Sequence, residues 1–272
     1  MQSVIEHIYA HPAGPVDNDT LADVARLSSF HWHRIYRSIT GETAAQTVRR
    51  TRMHLAACEL VRTSQPINDI GKTVGYPSSQ SFVRAFKSYY GQSPGEFRNA
   101  HKEPQTSLKA NTIDNKAYEV VLIEEPSMRL AGVWHAGDYA TIGQSFEQVM
   151  ATLSAQDVPI NEMVCVGVYP ADPFSVSDLS ILRSFAGILV SENFELPETL
   201  SEYHIPVGYC AALTYQGPYA LLEQPYLWLF GKWLIESGLM IDDRPGYEVY
   251  LNNPRDTKPD RLLTKICLPL IR

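Results

Sequence analysis

The stretch that decides the fold runs from residue 70 to residue 98: IGKTVGYPSSQSFVRAFKSYYGQSPGEFR. It opens on a short run with Ile70 and Val74 on one side and turns at Gly75, a residue free to take the positive φ that strains other side chains. Beyond the turn, Phe82, Ala85, Phe86 and Tyr89 recur three and four apart, the period of a helix that buries one face. Gly91 marks its end, and Ser93-Pro94-Gly95-Glu96 opens another helix. There Ser93 is the N-cap, Pro94 takes the first helical position and Glu96 closes a capping box. Helix, tight turn, helix is what a DNA-reading unit requires, since one face of its second helix is buried while the other enters the major groove. The outward positions are Ser79, Gln80, Val83, Arg84 and Lys87. These types suit base edges: Arg pairs bidentately with guanine, Gln with adenine, and an apolar group meets the thymine methyl.

About fifty residues upstream the pattern recurs. Leu21-Ala22-x-x-Ala25 leads into a helical run that ends in Tyr36-Arg37-x-x-x-Gly41. Trp32, Ile35, Tyr36 and Ile39 form its apolar face, and Phe30, His33, Arg34 and Arg37 look outward. A solvated basic face is ordinary for one amphipathic helix; the same division twice points to two recognition helices. Arg26 stands where the second unit has Gly75. A left-handed arginine costs about 1 kcal/mol, so a different turn geometry is expected here. Between the units, residues 43–63 read as one long helix carrying Val48, Met53, Leu55, Ala56, Leu60 and Val61, broken before Pro66. His31 and His33 lack a carboxylate or thiol to complete a metal site, and none is expected.

The run Ile70-Gly71-Lys72-Thr73-Val74-Gly75-Tyr76, with Ser81-Phe82-x-Arg84-x-Phe86-Lys87-x-x-x-Gly91-x-Ser93-Pro94-x-x-Phe97-Arg98, resembles the signature of AraC/XylS-type regulators. The resemblance implies seven helices over residues 1–103 and two recognition helices in successive major-groove segments of double-stranded DNA. RNA polymerase is a further partner of such a regulator.

Residues 99–117 are polar and aperiodic, and the interdomain linker is placed at 104–117. Beyond it a second repeat has an offset of about 80 residues. His135-Ala136-Gly137-Asp138-Tyr139-Ala140 matches Tyr215-Gln216-Gly217-Pro218-Tyr219-Ala220, and Val168-Tyr169 before Asp172-Pro173 matches Val249-Tyr250 before Asn253-Pro254. Alternation at Tyr209, Ala211, Leu213 and Tyr215 predicts strand. The spacing of Phe146, Val149, Met150 and Leu153, and of Tyr226, Leu229, Phe230 and Trp233, predicts helix. Each copy thus reads as strand, helix, strand, strand. The expected fold is multidomain: an all-α double helix-turn-helix domain (1–103) and an α+β domain (118–272) with a pseudo-twofold axis and a cleft.

Gly217-Pro218-Tyr219 and Tyr247-Glu248-Val249-Tyr250-Leu251-Asn252-Asn253-Pro254 resemble the GyrI-like small-molecule-binding domain. That resemblance implies a pocket in which a strand glutamate among aromatics meets hydrophobic, often cationic, effectors, and Glu248 matches the glutamate. The residues agree. In a strand Glu248 and Tyr250 share one face, while Tyr247, Val249 and Leu251 share the other. An acid among aromatics suits a lipophilic cation through an ion pair and cation–π contact. Aligning the copies on Tyr169 and Tyr250 sets Gly167 opposite Glu248, so an acid on one wall and a void on the other are expected. Tyr169, Tyr219 and Trp228 are further pocket residues.

Composition bounds the rest. At roughly 150 residues per domain, 272 residues make about two domains, and 44% apolar content fills two cores without disulfides. Residues 1–103 hold 12 Lys+Arg against 9 Asp+Glu, and the remainder 11 against 21, so the basic balance falls on the helix-turn-helix half. Cys58, Cys165, Cys210 and Cys267 form no C-x-x-C pair and read as buried free thiols of a reducing compartment. No signal peptide or membrane span is evident, and a cytoplasmic protein is expected. Two other functions are conceivable for a GyrI-like domain: hydrolysis with a glutamate, or gyrase-inhibitor-like protein binding. No nucleophile, base and orienting residue accompany Glu248, so neither catalytic residues nor a cofactor are expected.

Overall fold

The computed structural model describes residues 2–14, 18–28, 31–101, 118–156, 158–171, 176 and 178–272. Phe30, the linker at 104–117 and the Asp172-Pro173 half of the repeat lie outside them.

Among the described residues, the regular structure of the N-terminal part is all helical: α1 (Gln2–Ala10), α2 (Asn18–Ala25), α3 (Trp32–Thr40), α4 (Ala44–Arg62), α5 (Ile67–Thr73), α6 (Ser79–Tyr90) and α7 (Pro94–His101). Trp32 and Tyr36 of α3 are buried against Val4, Ile5, Ile8 and Leu21, and Val48 of α4 joins that core. The buried stripe of α3 runs Trp32, Tyr36, Thr40. This strict four-residue spacing rotates Ile35 outward, so it is 38% exposed and not part of the expected apolar face. Phe82 and Phe86 of α6 are fully buried, and Phe86 meets Phe97 of α7. Thr43 caps α4 and Ser78 caps α6 with reciprocal side-chain bonds, and Gly41 and Gly91 end α3 and α6, each at φ 78.

The two tight turns are alike. Arg26 sits at φ 54 and Gly75 at φ 83. Leu27 N donates to Ala22 O (3.1 Å) as Tyr76 N donates to Gly71 O (2.9 Å). The different geometry expected for the first turn is therefore absent. Arg26 is held left-handed in a turn closed by the Leu27–Ala22 hydrogen bond, and the strain stays in the backbone.

The C-terminal domain is one eight-stranded antiparallel sheet in the order β1-β6-β8-β7-β3-β4-β2-β5. Its strands are β1 (Val120–Glu125), β2 (Met128–Ala136), β3 (Cys165–Tyr169), β4 (Arg183–Val190), β5 (Ser201–Ile205), β6 (Gly208–Gln216), β7 (Gly246–Tyr250) and β8 (Leu263–Pro269). The first half carries α8 (Gly143–Ser154) after β2. The second carries α9 (Glu223–Trp228), a π-helical turn (Leu229–Trp233) and α10 (Leu234–Ser237) after β6. Each half has one strand more than strand, helix, strand, strand. The extra strands cross over: β1 pairs with β6 and β5 with β2. Their sequences, VVLIEE and SEYHI, are short and mixed, as befits sheet edges. The pseudo-twofold axis passes between β3 and β7, where Gly167 pairs with Glu248.

Residues alternate between the two faces. Ala131, Ala186 and Ile188 pack under Phe146, Val149, Met150 and Leu153 of α8, and Ala211, Leu213, Ile266 and Leu268 pack in the core that holds Trp228 and Leu229. Val166, Val168, Phe185, Tyr247, Val249 and Cys267 fill the opposite face.

Candidate functional sites: a DNA-reading surface and a tyrosine-lined cleft

Local sequence places the residues expected to read DNA. With Trp32/Tyr36 and Phe82/Phe86 turned inward, the helical period turns His33, Arg34 and Arg37 of α3 and Gln80, Arg84 and Lys87 of α6 to the exposed side. Ser79 and Val83 are half-buried at its margin. Two arginines of α4 escaped sequence reasoning because they lie between the units. Arg49 Nη2 donates to Ser88 Oγ on α6 (3.0 Å). Arg52 donates to the carbonyls of Pro12 (2.6 Å), Gly14 (2.7 Å) and Gly75 (3.3 Å) and lies over the Tyr76 ring, tying the first unit to the turn of the second.

The second site is built on the sheet axis. Glu248 is only 4% exposed, and its carboxylate accepts from Tyr226 Oη (2.9 Å) and Tyr250 Oη (2.7 Å). Tyr169 Oη lies 2.6 Å from Tyr250 Oη, joining the repeat equivalents across the axis. The repeated Gly-x-Tyr-Ala motif forms matching 3₁₀ turns, Tyr139–Thr141 and Tyr219–Leu221. Tyr139 packs edge-on against Tyr169 (4.8 Å) and Tyr219 against Tyr250 (5.3 Å). Burial pushes the Glu248 carboxyl above its ordinary range, against the opposing pull of the tyrosine hydroxyls. Burial and then the charge of Glu248 push the phenols of Tyr169, Tyr226 and Tyr250 well up. These hydroxyls stay protonated and act as donors.

Two expectations change. A Cβ on Gly167 would meet Tyr169 Oη at 2.7 Å. The space opposite Glu248 is thus taken by the Tyr169 ring folding back over the glycine, and is not a void. Trp228, 6% exposed, packs on Tyr118 (5.3 Å) in the core and does not line the cleft. Tyr226 takes the place at the acid that Trp228 was expected to hold. Its spacing alone assigns it to the helix stripe, although a buried phenol needs a hydrogen-bond partner and so carries a signal. The π-helical turn after Trp228 also breaks that stripe: Leu229 is buried while Phe230 is 40% exposed.

The cleft opens toward the helical domain. Helix α4 lies against both motif turns. His54 Nε2 donates to Ala140 O (2.9 Å) and Arg62 Nη1 to Asp138 Oδ2 (2.7 Å) at the first turn. Arg50 Nη2 bonds Glu42 (2.5 Å) and Glu147 of α8 (2.7 Å), and Arg255, from the loop after β7, bonds Glu147 (2.5 Å). Burial alone would raise the Glu147 carboxyl, but Arg50 and Arg255 outweigh it and hold it below the ordinary carboxylate range. A cavity of about 1920 Å³ extends from Glu248 and Tyr226 to Arg50, His54 and Leu55 of α4. Among the described residues, no group of three His, Cys, Asp or Glu is placed to hold a metal ion. No helix of the described residues is long and apolar enough to cross a membrane.

Comparison with known proteins follows the same division. A family model described as the GyrI-like small molecule binding domain matches residues 118–271, and one described as a helix-turn-helix domain matches residues 21–100. Regulatory protein SoxS of Salmonella typhimurium is 34% identical over 99 residues, which are 36% of this chain and 92% of its own length. The right origin-binding protein of Escherichia coli is 32% identical over 90 residues, 33% of this chain and 31% of its own length. Among solved structures, the EcmrR C-terminal domain is similar at a TM-score of 0.45 and 16% identity, over 58% of this chain and 99% of that one.

Proposed function

Since this chain belongs to the family of the GyrI-like small molecule binding domain, with an AraC-type helix-turn-helix domain ahead of it, we propose that it is a DNA-binding transcription regulator governed by a small molecule in the tyrosine-lined cleft. The effector is a hydrophobic molecule with a positive or hydrogen-bond-donating end. One observation carries this reading: a 4% exposed carboxylate sits on the sheet axis among aromatic rings, and among the described residues its hydrogen bonds come from the hydroxyls of Tyr226 and Tyr250. Such a group is costly to bury unpaired. An incoming cation displaces a tyrosine hydroxyl and gains an ion pair and ring faces at once.

The DNA contacts fall to His33, Arg34 and Arg37 of α3 and to Ser79, Gln80, Val83, Arg84 and Lys87 of α6, with RNA polymerase as a further partner and the cytoplasm as the place of action. Calorimetry with crystal violet, a hydrophobic cationic dye, tests the effector reading. Glu248→Gln is expected to weaken binding by about 1.5–3 kcal/mol, the worth of a charged hydrogen bond. Unchanged affinity means that the acid takes no part and that the effector is neutral or anionic.

A further inference from the structure

Sequence reasoning put the effector site wholly within the C-terminal domain. We propose that it is a two-domain site whose outer wall is helix α4 of the DNA-binding domain. The inference rests on the effector reading given above and extends it.

The cavity is the first ground. At about 1920 Å³ it exceeds the ~300–1000 Å³ typical of a small-molecule pocket. The space does not stop at the tyrosines: Leu55 and His54 of α4 and Tyr89 of α6 line it together with Glu248, Tyr226 and Phe230. The seating of α4 is the second. It rests against both copies of the Gly-x-Tyr-Ala turn, and so bridges the pseudo-twofold axis at the cleft mouth. Those turns carry Tyr139 and Tyr219, the rings that pack on Tyr169 and Tyr250 beside the acid. The electrostatics are the third. The Tyr219 phenol is raised first by burial and then by Cys165, and it also responds to Arg50 on α4, which pulls it down, and to Glu248 in the cleft, which pushes it up.

A small cation needs only the tyrosine cup around Glu248. A molecule with several rings runs on past Tyr219 and meets Leu55 and Tyr89. Large effectors therefore touch the helix that joins the two recognition units, and their affinity is linked to DNA binding with equal strength in both directions. Small ones do not. The DNA-binding domain itself thereby sets effector size preference.

The test uses the full chain and two probes, crystal violet and the small cation tetraethylammonium, titrated by calorimetry. Leu55→Ala and Tyr89→Ala are expected to weaken crystal violet at least threefold and leave tetraethylammonium within twofold. Glu248→Gln weakens both. A general loosening of the fold would weaken both probes in the α4 and α6 variants, and that result overturns the two-domain site. So does unchanged crystal violet affinity in those variants while Glu248→Gln still weakens it; the effector reading then survives alone. If Glu248→Gln changes neither probe, or the unaltered chain binds neither, the effector reading fails and this inference with it.

Discussion

Arg26, at φ 54, holds a conformation that costs an L side chain about 1–2 kcal/mol, and Gly75 fills the equivalent place at φ 83 without that cost. Arg26→Gly is accordingly expected to raise the unfolding free energy by about 1 kcal/mol in urea denaturation. Gly75→Ala should do the reverse and more, since its Cβ would lie 2.7 Å from Ala13 Cα. No change on Arg26→Gly would show that a contact of the arginine offsets the strain. Arg34 and Arg84 stand equally far before the capping glycines Gly41 and Gly91, so they keep matching places on exposed helix faces. Arg34→Ala and Arg84→Ala should each cost roughly 1–3 kcal/mol on an operator selected from random DNA and relax preference at one base position. Equal losses on specific and random DNA would assign both arginines to phosphates. In the sequence Gly167 reads as open space. Its Cβ position is occupied by the Tyr169 ring, so even Gly167→Ala must displace that ring and part Tyr169 from Tyr250. A weakened near-ultraviolet circular dichroism signal from these tyrosines is the expected sign.

Helix α4 shows why elements were legible and their docking was not. Its ends are written locally, in Thr43 as cap and in the break before Pro66, and its apolar positions recur at helical spacing. Nothing local tells that Arg50 will meet Glu147 and, through it, Arg255, because charged residues on a helix usually face water. Both carboxylate and guanidinium are sunk between the domains. The edge strands β1 and β5 were missed for a related reason: each satisfies its backbone on the other half, at a separation that no period reports. What was legible was the capping, the Gly75 turn and the Glu248 face, which act within a few residues, and the recurrence, which is read by comparing one stretch with another. Glu147→Gln should cost about 3–5 kcal/mol of unfolding free energy at pH 7, since it leaves buried arginines underpaired. Its pH dependence has a definite sign. The folded carboxyl is held below its ordinary value, so its stabilisation is present above roughly pH 4.3 and is lost as pH falls through the lowered value. Glu248 runs the other way: its raised carboxyl costs stability as pH rises through the folded value. The difference between wild type and Glu147→Gln should therefore narrow on acidification, and a gap that persists would place the loss in packing.

At the scale of the whole molecule, the two domains are distinct in sequence but share buried charge. Residues 1–103 hold all the expected DNA contacts, and that fragment is expected to fold and bind the selected operator. Without Glu147 and Arg255, however, the joint behind α3 and α4 is incomplete, so its affinity should fall at least tenfold below the full chain, about 1.4 kcal/mol. Equal affinity would show that the C-terminal domain takes no part in placing the first recognition helix. The C-terminal domain has an order of assembly built into it. Val120 pairs with Leu213, and Gly132 pairs with Ser201. During synthesis, then, the first half leaves the ribosome with its β2 edge open and β1 unpartnered, and waits for the second to supply both. If the second half never arrives, another copy of the first can stand in for it, β1 of each chain closing β2 of the other. Residues 118–199 made alone should sediment as a symmetric dimer, with two glycines and no acid at its axis: the scaffold of the cleft without the charge that marks it.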